Sequence, residues 1–372
     1  MAGETFINPD VGFIKDLQDN GADSLKKCFQ CATCAVVCPL SPDDKPFPRK
    51  EMIWAQWGLK EKLMGDPHVW LCHQCNDCST YCPRGARPGD VLAAIRAYMI
   101  KSYAFPKFMG EIVGDKKYLP MILLIPLLII LAVVSAIGRL YIPAGDVVYS
   151  KFLPIPFVDS IFLPAAALAF IFMAVGVRNF WNDLNRTNRF VFLGKGKFWK
   201  TLVDTIFEVL KHDRFRKCEA NKGRFIAHLG VFFGFALLFT ATNMVVFYEY
   251  ILHRETPLPL YDPAKVTGNI GALLLVVGIA LVLRNRTAGQ EKNGGYLDWA
   301  LIFMILGVAV SGILTELLRL LQVPVAAYPM YVAHLVFVFY IIGYLPFSKL
   351  AHMVYRTLAM AYMKHLEGPP RL

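Results

Sequence analysis

The pattern of apolar and polar positions changes once along the chain, near Lys116 and Lys117. Before that point apolar residues recur singly among polar ones. After it they gather in long runs at 118–140, 161–180, 225–252, 267–283, 297–320 and 328–347. Each run matches or slightly exceeds the ~17 to 25 residues that a helix needs to cross a ~30 Å hydrocarbon core, with tilt absorbing the excess. The pattern predicts six transmembrane helices.

In the first part the period is also helical. Residues 49–64 follow Pro48 and put Ile53, Trp57 and Met64 on one face. Farther on, Asp90 is placed to cap a helix whose Val91, Ile95, Tyr98 and Met99 share a face. The fold class expected is therefore all-α: an α-helical domain over 1–117, then a six-span membrane domain over 118–372. The second includes an amphipathic segment at 196–217 and a tail at 351–372. In the amphipathic segment Trp199, Leu202, Val203, Ile206 and Leu210 form one apolar stripe flanked by lysines. Such a helix lies on a membrane surface or packs on the N-terminal domain.

Composition sharpens this reading. Of 372 residues, 56% are hydrophobic, too many for two soluble domains. A formal charge of +11 raises the question of nucleic acid, but the cations concentrate between spans, at 186–224 and 284–292, and no nucleic-acid motif accompanies them. The connections around Asp146, Tyr261 and Gln322 carry no such excess. Basic connections face the cytoplasm, which places both termini and the first domain there, on a cytoplasmic membrane. No charged start with an apolar core and a small-residue cleavage site precedes Cys28.

Eight of the nine cysteines fall in two groups, and each reads C-x2-C-x2-C-x3-C-P. The first is Cys28, Cys31, Cys34 and Cys38 before Pro39; the second is Cys72, Cys75, Cys78 and Cys82 before Pro83. Three thiolates at this spacing wrap a loop around three corners of an iron–sulfur cubane, and the fourth cysteine crosses to the other cluster. One [4Fe–4S] cluster is thus expected on Cys28, Cys31, Cys34 and Cys82, the other on Cys72, Cys75, Cys78 and Cys38. Zinc knuckles also repeat C-x-x-C, but zinc does not require the third and fourth cysteines or the proline at these intervals. Cys218 stands alone.

Four histidines bracket two of the spans: His228 and His253 the third, His334 and His352 the sixth. At ~100° per residue, the 25 positions of the first pair return to within ~20° of one face, and the 18 of the second return fully. On antiparallel helices His228 would meet His352 at the cytoplasmic side and His253 would meet His334 at the outer side, giving two bis-histidine haems. The absence of C-x-x-C-H makes any haem b-type. Arg224 and Arg356 lie one turn from His228 and His352, placed for haem propionates. His68, His73, His212 and His365 read as surface or structural residues, with His73 a candidate donor to a cluster sulfur. Near the outer end Tyr248, Glu249, Arg254, Tyr261 and Tyr331 supply hydrogen-bonding groups for a quinone. Asp183, Glu249 and Glu316 sit at span ends, which argues against a buried proton relay.

The paired cysteine motif resembles the C subunit of heterodisulfide reductases. The helices after it are similar to the cytochrome b subunit of those enzymes and to the membrane subunit of respiratory nitrate reductases. In the latter family two histidines share the 18-residue spacing of His334 and His352, whereas the partner helix carries its second histidine ten residues after the first, where this chain has Leu238. The fusion of both parts resembles the C subunits of quinone-interacting membrane-bound oxidoreductases. That resemblance implies an oxidoreductase subunit linking menaquinone to flavin-containing iron–sulfur partners of the heterodisulfide reductase A type, and through them to adenylylsulfate reductase in sulfate respiration. The Cys-Cys-Gly repeats of the disulfide-cleaving site are absent. The expected route runs from quinol through haem b and the two clusters to a soluble flavoprotein. A heterodisulfide reductase-type membrane subunit and a haem-free iron–sulfur anchor are the competing readings.

Overall fold

The computed structural model describes residues 8–42, 45–192, 198–212, 222–254, 256–288 and 295–367. Cys218 and residues 213–217 of the amphipathic segment lie outside them. Helices and turns account for the ordered elements, and no strand occurs among the described residues. The N-terminal part contains α1 (Val11–Asp19), α2 (Thr33–Val36), α3 (Arg49–Gln56), α4 (Lys60–Met64), α5 (Asp77–Thr80), α6 (Pro88–Tyr103) and α7 (Lys107–Val113). Then follow α8 (Leu119–Ala136), α9 (Tyr149–Phe152), α10 (Ile155–Phe192), α11 (Phe198–Lys211), α12 (Lys222–Tyr250), α13 (Pro263–Ala288), α14 (Tyr296–Leu320), α15 (Pro324–Gly343) and α16 (His352–Glu367).

Two local expectations change. The segment 49–64 is two helices, because Gly58 turns the chain with φ +65°, and a Cβ there would lie 2.7 Å from the Asp10 carbonyl oxygen. Only glycine fits that crossing. Asp90 does not cap α6. The helix begins at Pro88, whose missing N–H suits a first turn, and Asp90 lies inside that turn, 2.7 Å from Arg87.

Six helices are long and apolar enough to cross a bilayer: α8, α10, α12, α13, α14 and α15. Much of their surface is exposed and apolar, as lipid-facing helices require. Two depart from the expected spans. The 38 residues of α10 extend ~57 Å, well beyond the hydrocarbon core. Its second half continues into the N-terminal domain, where Phe180 and Leu184 are fully buried. The sixth span lies four residues earlier than expected: α15 stops at Gly343, and two 3₁₀ turns, Leu345–Phe347 and Lys349–Ala351, precede α16. Pro346 lies in the first turn, and its missing N–H prevents the helix from continuing.

α12 and α13 form a close hairpin because glycines face one another across it. A Cβ on Gly234 would approach the Leu275 nitrogen to 2.8 Å, and one on Gly278 the Val231 nitrogen to 2.6 Å. Small residues allow such backbone approach in lipid, where apolar burial alone drives little association. α13 then packs on α14, α14 on α15, and α15 on α8 and α10.

The N-terminal domain does not hang from a linker. Its core, including Phe13, Trp70, Leu92, Ile95 and Tyr103, is continuous with Phe180 and Leu184 of α10 and Tyr355 and Tyr362 of α16. Trp70 lies 5.8 Å from Phe180 and 5.5 Å from Tyr355 between ring centroids, within the aromatic contact range. α11 lies along α16, burying Thr205 and setting Glu208 3.4 Å from Lys364. Trp199, Val203, Ile206 and Leu210 stay exposed, the disposition a helix on a lipid surface requires.

Candidate electron-transfer site

The two cysteine loops have the same backbone. Gln30 and Ala32 in the first have φ of 61° and 69°; Gln74 and Asn76 in the second have 54° and 68°. These left-handed residues turn the chain so that successive cysteines point inward. The Gln30 N–H lies 3.4 Å from Cys28 Sγ and the Gln74 N–H 3.2 Å from Cys72 Sγ, so each first sulfur accepts a backbone donor. α2 and α5 start directly after the second left-handed residue and touch each other.

That contact lets the fourth cysteines cross over. One cavity is lined by Cys72, Cys75 and Cys78 together with Cys38, Pro39, Phe47 and Leu92. Burial pushes the Cys38 thiol up to about 11, and neighbouring Cys72 and Cys75 add to the effect. Burial likewise pushes Cys34 up to about 12, with Cys28, Cys31 and Cys82 adding to it. Cys31, the exposed member, is lowered instead by its hydrogen bond with Thr33. Thiols crowded and buried in this way ionise only with a strong positive partner, which cluster irons supply. The eight sulfurs thus fit two four-cysteine sites with the crossed assignment read from the motif.

The loops differ in what grips them. In the first, Gln56 Nε2 donates to the Cys28 carbonyl at 2.8 Å and Arg49 Nε to the Gln30 carbonyl at 3.1 Å. Both donors come from the α3 region of the same domain. In the second, Arg356 donates to the matching Cys72 carbonyl at 3.2 Å and Arg224 to the Gln74 carbonyl. Those donors come from α16 and α12. Arg356 also reaches His73 Nδ1 at 2.8 Å. Arg224 and Arg356, expected at propionates, are therefore engaged with the second cysteine loop, and His73 faces Arg356.

His352 opens α16, one turn before Arg356. Burial, then the Lys349 ammonium, hold its imidazole pKa down to about 3, with Arg356 and His228 close enough to contribute. It is neutral at pH 7, the form that ligates metal. Its Nδ1 faces the Lys349 carbonyl at 2.5 Å, which directs the other ring nitrogen to any ligand. His228, on α12, has its ring 5.3 Å from that of His212. The structure thus brings His228 and His352 into one neighbourhood, beneath the loop that Arg224 and Arg356 grip.

The other two histidines are separated. Helical phase pairs residues only along unbroken helices, but α15 ends before His352, and α12 ends at Tyr250, leaving His253 outside it with φ 50°. His334 lies ten residues into α15, ~15 Å below its start, whereas His253 is beyond the end of α12. His334 meets Ser311 of α14 instead, with Nδ1 3.0 Å from the hydroxyl, and its ring packs tightly over Gly312, where a Cβ would lie 3.0 Å away. Leu238 on α12 packs among residues of α13 and α14.

The candidate quinone residues also divide. Arg254 lies over the Tyr248 ring at 5.2 Å and pairs with Asp262 at 3.4 Å. Glu249 is on the last turn of α12, and Tyr261 is exposed. Tyr331 stacks on Tyr149 with centroids 4.5 Å apart, in a separate cluster with α8 and α9. Sequence reasoning missed Asp159, which accepts from Tyr250 and ties α10 to the end of α12. A lone carboxylate in an apolar run was the available signal.

A further polar cluster is structural. Glu51, Asp66 and His68 place three donor atoms within 4.8 Å of one another, but the Lys50 ammonium already lies 2.9 Å from Asp66 and 3.3 Å from Glu51. Burial opposes charge on Asp66, yet the His68 hydrogen bond and Lys50 hold its carboxyl down to about 2. Burial, and then Asp66, push Glu51 well up.

Residues 24–86 match the family described as 4Fe-4S dicluster domain, and residues 115–369 that described as citrate utilization protein B. The chain is 38% identical over 89 residues to a protein of Archaeoglobus profundus that is like the C subunit of heterodisulfide reductase, covering 24% of this chain and 47% of that protein. It is 24% identical over 274 residues to citrate utilization protein B of Escherichia coli, covering 65% and 68%. Over 175 residues it is 25% identical to the E subunit of the dihydromethanophenazine:CoB–CoM heterodisulfide reductase of Methanosarcina barkeri, covering 43% and 64%. The chain spans about half the length of the heterodisulfide reductase C relatives it matches. No solved structure matches. A dicluster part similar to the C subunits of heterodisulfide reductases and a multi-pass membrane part of the cytochrome b-like type are thus fused in one chain.

Proposed function

This chain belongs to the citrate utilization protein B family, and from that premise we propose that it carries electrons from menaquinol, through haem b and two [4Fe–4S] clusters, to a soluble flavoprotein partner. One observation carries the reading. Arg224 and Arg356 stand one helical turn from His228 and His352, and both grip the second cysteine loop. The same two helices that present a histidine pair therefore hold a cluster loop directly above it, the arrangement that short-range electron transfer needs.

Haem b fits between His228 and His352. Both imidazoles can ligate when neutral, and they come from helices held together by the loop rather than by each other. The haem would supply a one-electron carrier between a two-electron quinol and the clusters. The chain's own residues hold the relay: Lys349 orients His352, α12 presents His228, and the arginines fix the loop above them. A quinol headgroup would bind at the far end of the bundle, where Tyr331, Tyr149 and Tyr250 stand beside the Asp159 carboxylate as proton acceptor. Tyr250 is ~33 Å along α12 from His228, so a second carrier would stand between them. On the positive-inside pattern the cluster domain is cytoplasmic. Adenylylsulfate reductase as the final acceptor follows from resemblance to the quinone-interacting oxidoreductases.

The test is a reduced-minus-oxidised optical spectrum of the intact membrane protein with haem and iron counts. His228→Ala and His352→Ala should each abolish the same b-type α band while both clusters stay, and His334→Ala should leave that band intact. An unchanged band in His228→Ala would overturn the pairing, and a wild type without a b-type band would favour the haem-free anchor.

A further inference from the structure

The equivalence of the two loops extends to one more position. In the second, His73 follows the first cysteine and is held by Arg356 of the membrane part, 2.8 Å away. The matching residue of the first loop is Phe29, and its ring lies under the Arg84 guanidinium at 4.0 Å. The face that carries the membrane part in one loop thus has an exposed counterpart in the other. Phe29 is 66% exposed and Tyr81, beside Cys82 of the same cluster site, 64%. Cys31 is exposed as well. Among the described residues flanking Phe29 and Tyr81 in the chain, Lys26, Lys27 and Arg84 are exposed cations and Asp23 an exposed carboxylate.

Resting on the function proposed above, we infer that Phe29, Tyr81 and Arg84 form the docking face for a soluble redox protein whose electron carrier lies beneath an acidic-rimmed apolar surface. The order of carriers follows. The Cys72 loop is the membrane-side cluster and the Cys28 loop the exit cluster. At the exit one electron leaves the reduced cluster and one enters the partner's carrier. No bond to the protein forms or breaks, and the quinol protons remain at the membrane end. Exposed aromatic side chains with an arginine are the residue types that anchor protein interfaces, and the basic rim steers an acidic partner.

The experiment runs the electron inward on the full-length protein in detergent or nanodiscs, so that one donor can be chosen. Reduced flavodoxin, an acidic protein with an exposed flavin edge, donates one electron per molecule and is oxidised by one. Cluster bleaching is followed by stopped flow. Wild type should be reduced at a rate that falls steeply with salt. Arg84→Glu and Phe29→Ser should each slow this at least about tenfold, whereas reduction by methyl viologen radical, which needs no docking face, should be unchanged. That second donor also exposes a variant that has lost its clusters. Salt-independent wild-type rates, no transfer from flavodoxin, or equal rates in Arg84→Glu would each overturn the docking face. Failure of a quinol analogue to exchange electrons with the clusters, with flavodoxin entry intact, would instead defeat the functional reading and leave the docking face standing.

Discussion

The first and second cysteine loops share spacing, left-handed turns and a sulfur-accepting N–H, but their carbonyls are satisfied from different places. Gln56 and Arg49, from the same domain, hold the first loop; Arg224 and Arg356, from membrane-anchored helices, hold the second. A repeated motif therefore makes two unequal sites. One is complete within its own domain. The other is completed only when the domain is seated on α12 and α16, and it gains two guanidinium charges in doing so. Assembly and the electrostatics of the second cluster are the same event.

The strongest way to break the comparison is to remove one crossing cysteine at a time. Cys38→Ser should remove the second-loop cluster and Cys82→Ser the first, each lowering iron from about eight to about four per chain. Iron and sulfide analysis with EPR distinguishes the crossed assignment from an uncrossed one, in which the two losses would be exchanged. Next in size is Arg356→Ala. It removes charged hydrogen bonds to Cys72 and takes a cation from beside the second cluster, so the seating should weaken by about 1.5–3 kcal/mol. The second-cluster midpoint should fall by roughly 60 mV, about a tenfold change in a one-electron equilibrium. Arg49→Ala should shift the first cluster instead. Equal shifts at both clusters in a redox titration would dissolve the distinction.

A remote lever should act on one loop only. Gly278→Leu forces α12 away from α13, at about 1–3 kcal/mol of overpacking or more, and α12 carries Arg224. Hydrogen exchange should then rise at 72–78 and stay unchanged at 28–34. The smallest effect concerns the buried cluster beside the first loop's grip. The Glu51 pKa is raised above its unfolded value, so its charged form lowers stability above about pH 4.5 and has no such effect below it. Glu51→Gln should raise the melting temperature by about 2–4 °C at pH 7 for each 1 kcal/mol relieved, and the gain should disappear below pH 4.5. Asp66 has the opposite sign: its contribution is full above about pH 4 and lost as pH falls toward 2.

Much of the site was legible in the residues themselves. Cysteine ligation is local: three sulfurs eight or fewer residues apart define a loop, and only the fourth needs the other motif. Spans were legible because lipid imposes a length and a composition on each one. The histidines were legible as candidates, and His228 with His352 as neighbours, but His253 with His334 was not a pair, since a helical phase is meaningful only while the helix lasts. Pro346 and the turns after Gly343 break one helix, and the end of α12 at Tyr250 strands His253. Arg224 and Arg356 were legible from their spacing to the histidines, but their contacts with the second cysteine loop were not, because spacing along a helix does not say which neighbour a side chain meets.

By itself the amino-acid sequence determined the two cysteine loops, the six apolar helices and the all-helical class, because each follows from intervals of a few residues or from the solvent in which a segment must lie. Only the tertiary structure decided that the second loop, and not the first, faces the membrane helices, and that His334 turns to Ser311 while His253 lies past the end of α12. Those choices join residues up to 285 positions apart, as from Leu71 to Arg356, and depend on where helices end and which glycines let them approach. The motif makes the loops alike; packing makes one of them the inner cluster.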